Sequence, residues 1–192
     1  MQVIRIYKAK GGAGATTIAT ALALRLSVGI GEKRSVRLVD PTGDAASALG
    51  VSERELHLRG ERVLHSADAK RGETVATVID GGLLPDLLPG EPSDTHLLVI
   101  RPEYAALRLA VASNALASIA GLVYIADSDL VLGECEVADV LGIPIIASSA
   151  RDAAVMRVSD AGLLCSHRSK ALAESISSIV RYLARIEEGI SA

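Results

Sequence analysis

Apolar and polar positions along the chain form short segments that fit alternating strands and helices. Val- and Ile-rich runs with the length of strands buried on both faces occur at Val3 to Tyr7, Val36 to Val39, Val75 to Ile79, Leu97 to Ile100, Leu122 to Ile125 and Ile143 to Ala147. Ala- and Leu-rich segments of helical length lie at Thr16 to Val28, Tyr104 to Ile119, Glu134 to Leu141 and Asp152 to Gly162. This alternation predicts an α/β fold with a doubly wound, mainly parallel sheet flanked by helices.

Two further segments have their own patterns. Ser52 to Gly72 is rich in Glu, Arg, Asp and Lys, and we predict a surface excursion there. From Arg168 to Glu188, apolar residues recur in steps of four and three, which predicts a final helix with one apolar seam: Leu172, Ile176, Ile179, Leu183, Ile186 and Ile190. A helix packed on the sheet is favoured over a coiled-coil or partner helix.

Composition adds a domain count and limits the class of protein. The chain has 192 residues without a break in composition, which predicts a single domain over 1–192. Phe and Trp are absent although 49% of residues are hydrophobic, so the core must consist of Ala, Val, Leu and Ile. A net charge of -3 argues against a uniformly basic nucleic-acid binder but leaves room for a local basic patch.

Neither cysteine, histidine nor hydropathy patterns indicate a metal site or a membrane segment. Cys135 and Cys165 have no metal or redox spacing and are predicted to be small buried residues, and the four histidines show no metal spacing. Arg5 interrupts the apolar N-terminus, and polar residues interrupt Ala105 to Ala126, so we expect no signal peptide, no membrane span and a cytoplasmic protein.

A glycine-rich turn follows the first predicted strand and leads directly into an apolar helix. Its sequence is KAKGGAGATT, from Lys8 to Thr17. Glycines at 11, 12 and 14 allow the backbone N–H groups to converge on an anion, and the helix N-terminus adds partial positive charge. The turn therefore predicts a phosphate-binding loop, with a plain strand-to-helix turn as the less favoured alternative.

The turn resembles the deviant Walker A loop of the ParA/MinD family of P-loop ATPases, with the pattern K-G-G-x-G-K-[ST]-[ST]. The resemblance implies that Lys10 is the signature lysine that reaches a partner's nucleotide, and that Thr16 binds Mg²⁺. The nucleotide contacts implied by the loop are Gly11, Gly12, Ala13, Gly14, Ala15, Thr16 and Thr17. Ala15 stands where the family has a lysine, and loss of that charge-assisted hydrogen bond, roughly 1.5–3 kcal/mol, weakens binding about ten- to a hundredfold.

Acidic residues follow the second and third predicted strands. Asp40, in DPTG, resembles the family aspartate that orients the attacking water and contacts Mg²⁺; an alternative alignment makes it an earlier family aspartate, with two residues deleted. Asp44 is predicted to cap the next short helix. Asp80 ends an apolar run and resembles the Walker B aspartate that holds Mg²⁺ through water, before a switch at Gly81 and Gly82.

The resemblance continues to about Leu164. The segment from His96, HLLVIRPEYAALRLA, is similar to the family's strand followed by P-E-x-x-A-L. The segment from Ala138 to Leu164 is similar to the family's pattern E-x-L-G-x-P-V-x-x-x-I-P-x-D-x-x-V-x-x-A-x-x-x-G. In relatives the loop after the last strand lies against the adenine, which implies base contacts for Ser149 and Asp152, with Ser148 and Arg151 nearby. An ordinary strand-to-helix loop capped by Asp152 is an equally good interpretation.

The family resemblance implies a protein that binds ATP and Mg²⁺ and forms a homodimer around the nucleotide. Such a protein positions or partitions DNA or another cargo, binds DNA non-specifically and responds to a cognate partner protein. Ala15 predicts weak hydrolysis, and a non-hydrolysing scaffold of the CpaE/TadZ pilus-assembly type is the alternative. A ligase of the dethiobiotin synthetase kind is disfavoured, because it needs a complete phosphate loop. Ala15 is either natural or an engineered change to an active enzyme.

Overall fold

A single sheet carries the architecture in the computed structural model, which describes residues 1–60, 62–64, 73–84, 94–166 and 169–189. Its strands are β1 (Gln2–Lys8), β2 (Arg34–Val39), β3 (Glu55–Arg59), β4 (Arg62–Val63), β5 (Glu73–Leu83), β6 (Thr95–Ile100), β7 (Gly121–Ala126) and β8 (Ile145–Ala150). Their order across the sheet is β4-β3-β2-β5-β1-β6-β7-β8. All pairs from β2 to β8 in that order are parallel, and β3 and β4 add an antiparallel edge.

Helices cover both faces of the sheet, as the alternating pattern predicts. They are α1 (Ala15–Leu26), α2 (Asp44–Ala48), α3 (Tyr104–Val111), α4 (Glu134–Leu141), α5 (Ala153–Asp160) and α6 (Lys170–Glu187). Residues of β6 alternate between two buried apolar clusters: Leu97 belongs to the cluster that contains α1 and α6, and Leu98 to the one that contains α3 and α4. The predicted doubly wound α/β fold is confirmed.

The final helix packs on the sheet, as predicted. Leu172, Ile176, Ile179 and Leu183 are buried along one side of α6. The Tyr182 hydroxyl donates a hydrogen bond of 2.6 Å to the carbonyl of Ala120, just before β7. The seam ends before Ile186, which is 40% exposed, and Ile190 lies outside the described residues.

Three sequence-based expectations are wrong. The charged segment contains β3, whose Leu56 and Leu58 are buried against the sheet while the intervening residues are more exposed, so its alternation marks an edge strand. The helix predicted to reach Ile119 ends at Val111, because the Ser113 hydroxyl accepts a hydrogen bond from the Ala115 amide and starts a separate 3₁₀ turn. Cys135, in the first turn of α4, is exposed.

The parallel arrangement places the loops of interest at one edge of the sheet. Strands β5, β1, β6, β7 and β8 all run in the same direction, so the segments that follow their carboxyl ends lie side by side. This edge of an open α/β sheet is where ligands usually bind. Among the described residues, none of the helices combines the length and hydropathy that crossing a bilayer requires.

Candidate functional site

The glycine-rich turn between β1 and α1 has the backbone geometry of an anion-binding loop. Gly12 and Gly14 adopt φ angles of 80° and 92°, a left-handed conformation that disfavours residues with a Cβ. Within the described residues, no side chain caps the start of α1 at Gly14. The first amides of α1 are therefore available to an anion, and the helix dipole favours negative charge there.

Ala15 is the first residue of α1, and it is buried. Only 1% of its surface is exposed, and it belongs to the apolar cluster beneath the helix. The position that carries a lysine in the resembling family therefore contributes only a methyl group to the core. The loop itself must obtain any further positive charge from other segments.

Thr16 and Asp80 meet on the β5 side of the loop. The Thr16 hydroxyl donates a hydrogen bond of 2.6 Å to Oδ2 of Asp80, and the Gly82 amide donates a longer one of 3.4 Å to Oδ1. Asp80 is 1% exposed, so its charge is buried with few donors. A hydroxyl and a carboxylate at the edge of a phosphate loop suit Mg²⁺, which is usually held by few protein oxygens together with phosphate and water.

The strand that carries Asp80 extends farther than expected. The sequence predicts that it ends at Asp80, but β5 continues to Leu83, and Gly82 pairs with Tyr7 of β1 beyond a bulge. A Cβ at Gly81 would come within 2.5 Å of the Tyr7 ring, so only glycine fits there without a shift. The predicted switch glycines, Gly81 and Gly82, therefore lie within the strand.

Asp40 has a different environment from Asp80. It is fully buried, and its Oδ1 accepts hydrogen bonds from the Thr42 amide and hydroxyl and the Gly43 amide. Its Oδ2 accepts from the amides of Ala45 and Ala46, at 2.7 and 3.1 Å. Asp40 thus organises its own loop and the start of α2, and its role towards water or Mg²⁺ stays a prediction.

The prediction that Asp44 caps the short helix is wrong. Asp44 is the first residue of α2, the cap position is Gly43, and no side-chain hydrogen bond from the cap is present among the described residues. Asp40 takes the amides of this first turn instead. Asp44 is exposed in the first turn of α2, where the helix dipole favours its negative charge.

A charged cluster, comprising Lys10, Arg101, Glu103, Asp127 and Arg151, lies on the β6 side of the loop. Lys10 Nζ donates to Glu103 at 2.5 Å, and this contact holds the pKa of Glu103 below its usual value. Arg101 contacts Glu103 at 3.0 Å and Asp127 at 2.7 Å, and Arg151 lies 3.5 Å from Asp127. The Asp129 amide, followed by the two arginines, lowers the pKa of Asp127. Both carboxylates are therefore ionised at neutral pH.

An open cleft joins the loop to the segment after β8. Gly12, Ala13, Gly14 and Thr17 line one side, and Ser149 and Asp152 line the other. The structure thus brings both predicted groups together in one concave site. Among the described residues no group of three or more His, Cys, Asp or Glu side chains is arranged to hold a metal ion.

Asp152 caps α5 while it lines the cleft. Its Oδ1 accepts a hydrogen bond of 2.7 Å from the Ala154 amide, and its Oδ2 accepts one of 3.1 Å from the Ser169 hydroxyl. The capping interpretation is therefore confirmed. Base contacts by Asp152 and by the buried Ser149 stay a prediction.

We expect Asp152→Ala to lower the free energy of unfolding by about 1 kcal/mol, because the cap of α5 is lost. Asp152→Asn preserves an oxygen for the Ala154 amide and should be nearly neutral, which makes it the matched control. Urea unfolding of both variants gives the two values. A changed preference between adenine and guanine nucleotides in Asp152→Asn, at unchanged stability, would favour base contacts in addition to capping.

Three residues of the charged cluster, Arg101, Glu103 and Asp127, are not predicted as site residues from the sequence. Each follows the carboxyl end of a buried strand, Arg101 and Glu103 after β6 and Asp127 after β7. Their position after strand ends is the sequence signal that could have placed them in the site, because the carboxyl ends of parallel strands lie at one edge of the sheet. Two of the four histidines, His65 and His167, lie outside the described residues, as does Arg168 at the predicted start of the final helix.

Comparison with solved structures shows what this fold resembles. The chain is similar to MinD in the MinC:MinD cell division protein complex of Aquifex aeolicus, with a TM-score of 0.68, 18% identity and 96% of each chain covered. It is also similar to the septum site-determining protein MinD complexed with Mg-ADP from Pyrococcus horikoshii, with a TM-score of 0.61 and 19% identity over 97% of this chain and 98% of that one. A ParA family ATPase from Chlorobium tepidum gives 0.63 and 16%, over 93% and 98%.

These likenesses concern the fold. No protein-family model matches the chain, and the sequence search against curated proteins found no match. The identities are too low to transfer a ligand or an activity without further argument.

Proposed function

We propose that this chain, which has the fold of the MinD and ParA family ATPases, binds ATP with Mg²⁺ in the cleft at the glycine-rich loop. The observation that carries the proposal is the hydrogen bond of 2.6 Å between Thr16 and the buried Asp80, beside the uncapped start of α1. A phosphate chain would lie on the amides of the loop and of the first turn of α1. Bound Mg²⁺ would neutralise phosphate charge beside Thr16 and Asp80.

The remainder of the proposal concerns assembly and turnover. Two chains would close around ATP, with Lys10 of each reaching the other's phosphates, and the dimer would position DNA or another cargo together with a partner protein. This requires Lys10, which is 47% exposed, to leave Glu103. Two basic residues that DNA could contact are partly engaged already, since Arg151 lies 3.5 Å from Asp127 and Lys170 lies 3.8 Å from Glu174. The contacts therefore support DNA as the cargo less than they support nucleotide binding.

A non-hydrolysing scaffold is the second candidate. Ala15 supplies no charge to the loop, and both oxygens of Asp40 are already engaged by hydrogen bonds within their own segment. A site with these two features would hold nucleotide without the charge neutralisation and water activation that hydrolysis needs. Nucleotide would then act as a structural ligand of the dimer.

We expect the unaltered chain to bind Mg-ATP weakly, and Ala15→Lys to bind it about ten- to a hundredfold more tightly. Isothermal titration with ATP and ADP, followed by phosphate release and sedimentation, measures binding, turnover and dimerisation in one series. Ala184→Lys adds the same charge on an exposed part of α6 and should leave binding unchanged. Ala15 is buried, so a melting curve accompanies each variant.

The outcomes separate the two candidates. Hydrolysis that appears only in Ala15→Lys identifies the missing charge as the defect. Tight binding without hydrolysis in both proteins favours the scaffold. Absence of ATP and ADP binding in both folded proteins at millimolar nucleotide would contradict the proposal.

A further inference from the structure

We propose that Arg101 supplies to the bound phosphate chain the positive charge that Ala15 lacks. The inference rests on the proposed nucleotide binding and assigns one of its determinants. In most P-loops a lysine within the loop contacts the phosphates, whereas here a side chain after β6 would do so.

The topology places Arg101 beside the loop. β6 is the neighbour of β1 on the side opposite β5, and Lys8 pairs with Val99, two residues before Arg101. Arg101 lines the same cleft as Gly12, Ala13 and Gly14. A phosphate chain on the loop would therefore have Asp80 and Thr16 on its β5 side and the guanidinium of Arg101 on its β6 side.

The guanidinium is held in place by two carboxylates. One terminal nitrogen lies 3.0 Å from Glu103, the other lies 2.7 Å from Asp127, and the side chain is 20% exposed. Its Nε is buried and has no hydrogen-bond partner among the described residues. Each terminal nitrogen has a second N–H beyond its carboxylate contact, so the fixed guanidinium needs little further ordering to bind a phosphate oxygen, and guanidinium geometry suits phosphate.

The charge balance of the cluster leaves an excess for an anion. Lys10, Arg101 and Arg151 carry three positive charges, against two on Glu103 and Asp127. Lys10 is bound by Glu103 and does not line the cleft, and Arg151 is 43% exposed and only loosely placed at 3.5 Å from Asp127. Arg101 is therefore the cation of the cluster that is both at the cleft and firmly oriented.

A purely structural role for Arg101 is the competing explanation, because its two ion pairs link the segments after β6 and β7. The two roles differ in one measurable respect. A cation that replaces the P-loop lysine becomes dispensable once a lysine is present at position 15. A structural ion pair does not.

The test is a double-mutant cycle of Arg101→Gln and Ala15→Lys, with Arg108→Gln as the control at an exposed position of α3. Glutamine keeps an amide donor for Glu103 or Asp127 but has no charge. Titrations with AMP, ADP and ATP in the presence of Mg²⁺ should show Arg101→Gln weakening ADP and ATP about ten- to a hundredfold. AMP should change less than about threefold, and in the Ala15→Lys background Arg101→Gln should weaken ADP and ATP by less than about threefold.

Several outcomes would overturn the inference. A change of less than about twofold for ATP in Arg101→Gln, an equal loss for AMP and ATP, or an equal loss from Arg101→Gln with and without Ala15→Lys would each do so. Binding by Ala15→Lys but not by the unaltered chain would overturn it while preserving the proposed site. Absence of binding in all folded proteins would overturn the proposed function as well.

The unaltered chain provides a second measurement should Arg101→Gln fail to fold. The Nε–H resonance of Arg101, assigned through its own side chain by NMR, should shift on saturation with Mg-ADP and stay in place with AMP. The Arg108 resonance is the internal reference. An Arg101 resonance that is unmoved by saturating Mg-ADP contradicts the assignment.

Discussion

Replacing Asp40 with alanine is expected to lower the free energy of unfolding by about 3–5 kcal/mol. The side chain is fully buried and accepts hydrogen bonds from five donors in its own segment, four of them backbone amides. Removal of the carboxylate leaves those amides without partners, and a buried donor without a partner costs more than the bond contributed. Urea unfolding followed by circular dichroism measures the loss.

Two further variants make this experiment specific. Asp40→Asn keeps the size and one acceptor oxygen, so we expect an intermediate loss. Asp44→Ala removes an exposed carboxylate from the first turn of α2, and we expect no more than about 0.5 kcal/mol. A loss below about 1 kcal/mol for Asp40→Ala would show that the carboxylate is not structural, and would strengthen its assignment to water or Mg²⁺.

Much of the fold follows from local sequence, since buried parallel strands leave an apolar run that is easy to recognise. All six predicted strands exist, and each contributes apolar residues to at least one of the two buried clusters between the sheet and the helices. The missed strand β3 is at an edge, where charged residues alternate with Leu56 and Leu58 and obscure the apolar pattern. The shortened helix α3 depends on a single serine cap, which the apolar pattern alone does not weigh.

The candidate site also has parts that local sequence reveals and parts that it does not. The loop and Asp80 are recognisable because the glycine spacing and the strand end are local features. The charged cluster is not, because its contacts join residues far apart in the chain: Lys10 with Glu103, and Arg101 with Asp127. Only the order of strands in the sheet brings them together, and sequence spacing does not reveal that order.

Asp40 and Asp80 both follow predicted strands in the sequence, but they differ in the hydrogen-bond donors that surround them. Asp40 has its charge distributed over a full set of hydrogen bonds, whereas Asp80 has one short hydrogen bond from Thr16 and one long contact from Gly82. Both are buried. A buried carboxylate with so few donors is poorly compensated, and a cation beside it restores the balance. The donor sets therefore assign a structural role to Asp40 and favour Asp80 for Mg²⁺.

This assignment predicts that Thr16→Val and Asp80→Asn both abolish the Mg²⁺-dependent part of ATP binding while changing stability differently. Valine leaves the buried carboxylate of Asp80 without its short hydrogen bond, so Thr16→Val should cost about 1–3 kcal/mol of unfolding free energy. Asparagine removes the buried charge and still accepts from Thr16, so Asp80→Asn should lie within about 1 kcal/mol of the unaltered chain. Titrations with ATP in Mg²⁺ and in EDTA, beside urea unfolding, measure both quantities.

Thr17→Val is the matched control for this pair. Thr17 has the same chemistry one residue away and lines the cleft, but its hydroxyl makes no hydrogen bond to Asp80 among the described residues. We expect it to weaken ATP binding in Mg²⁺ and in EDTA by the same factor, because its predicted contact is with phosphate and not with the metal. If ATP binding depends on Mg²⁺ to the same extent in all of these proteins, Thr16 and Asp80 do not hold the metal. Their hydrogen bond would then serve only to attach α1 to β5.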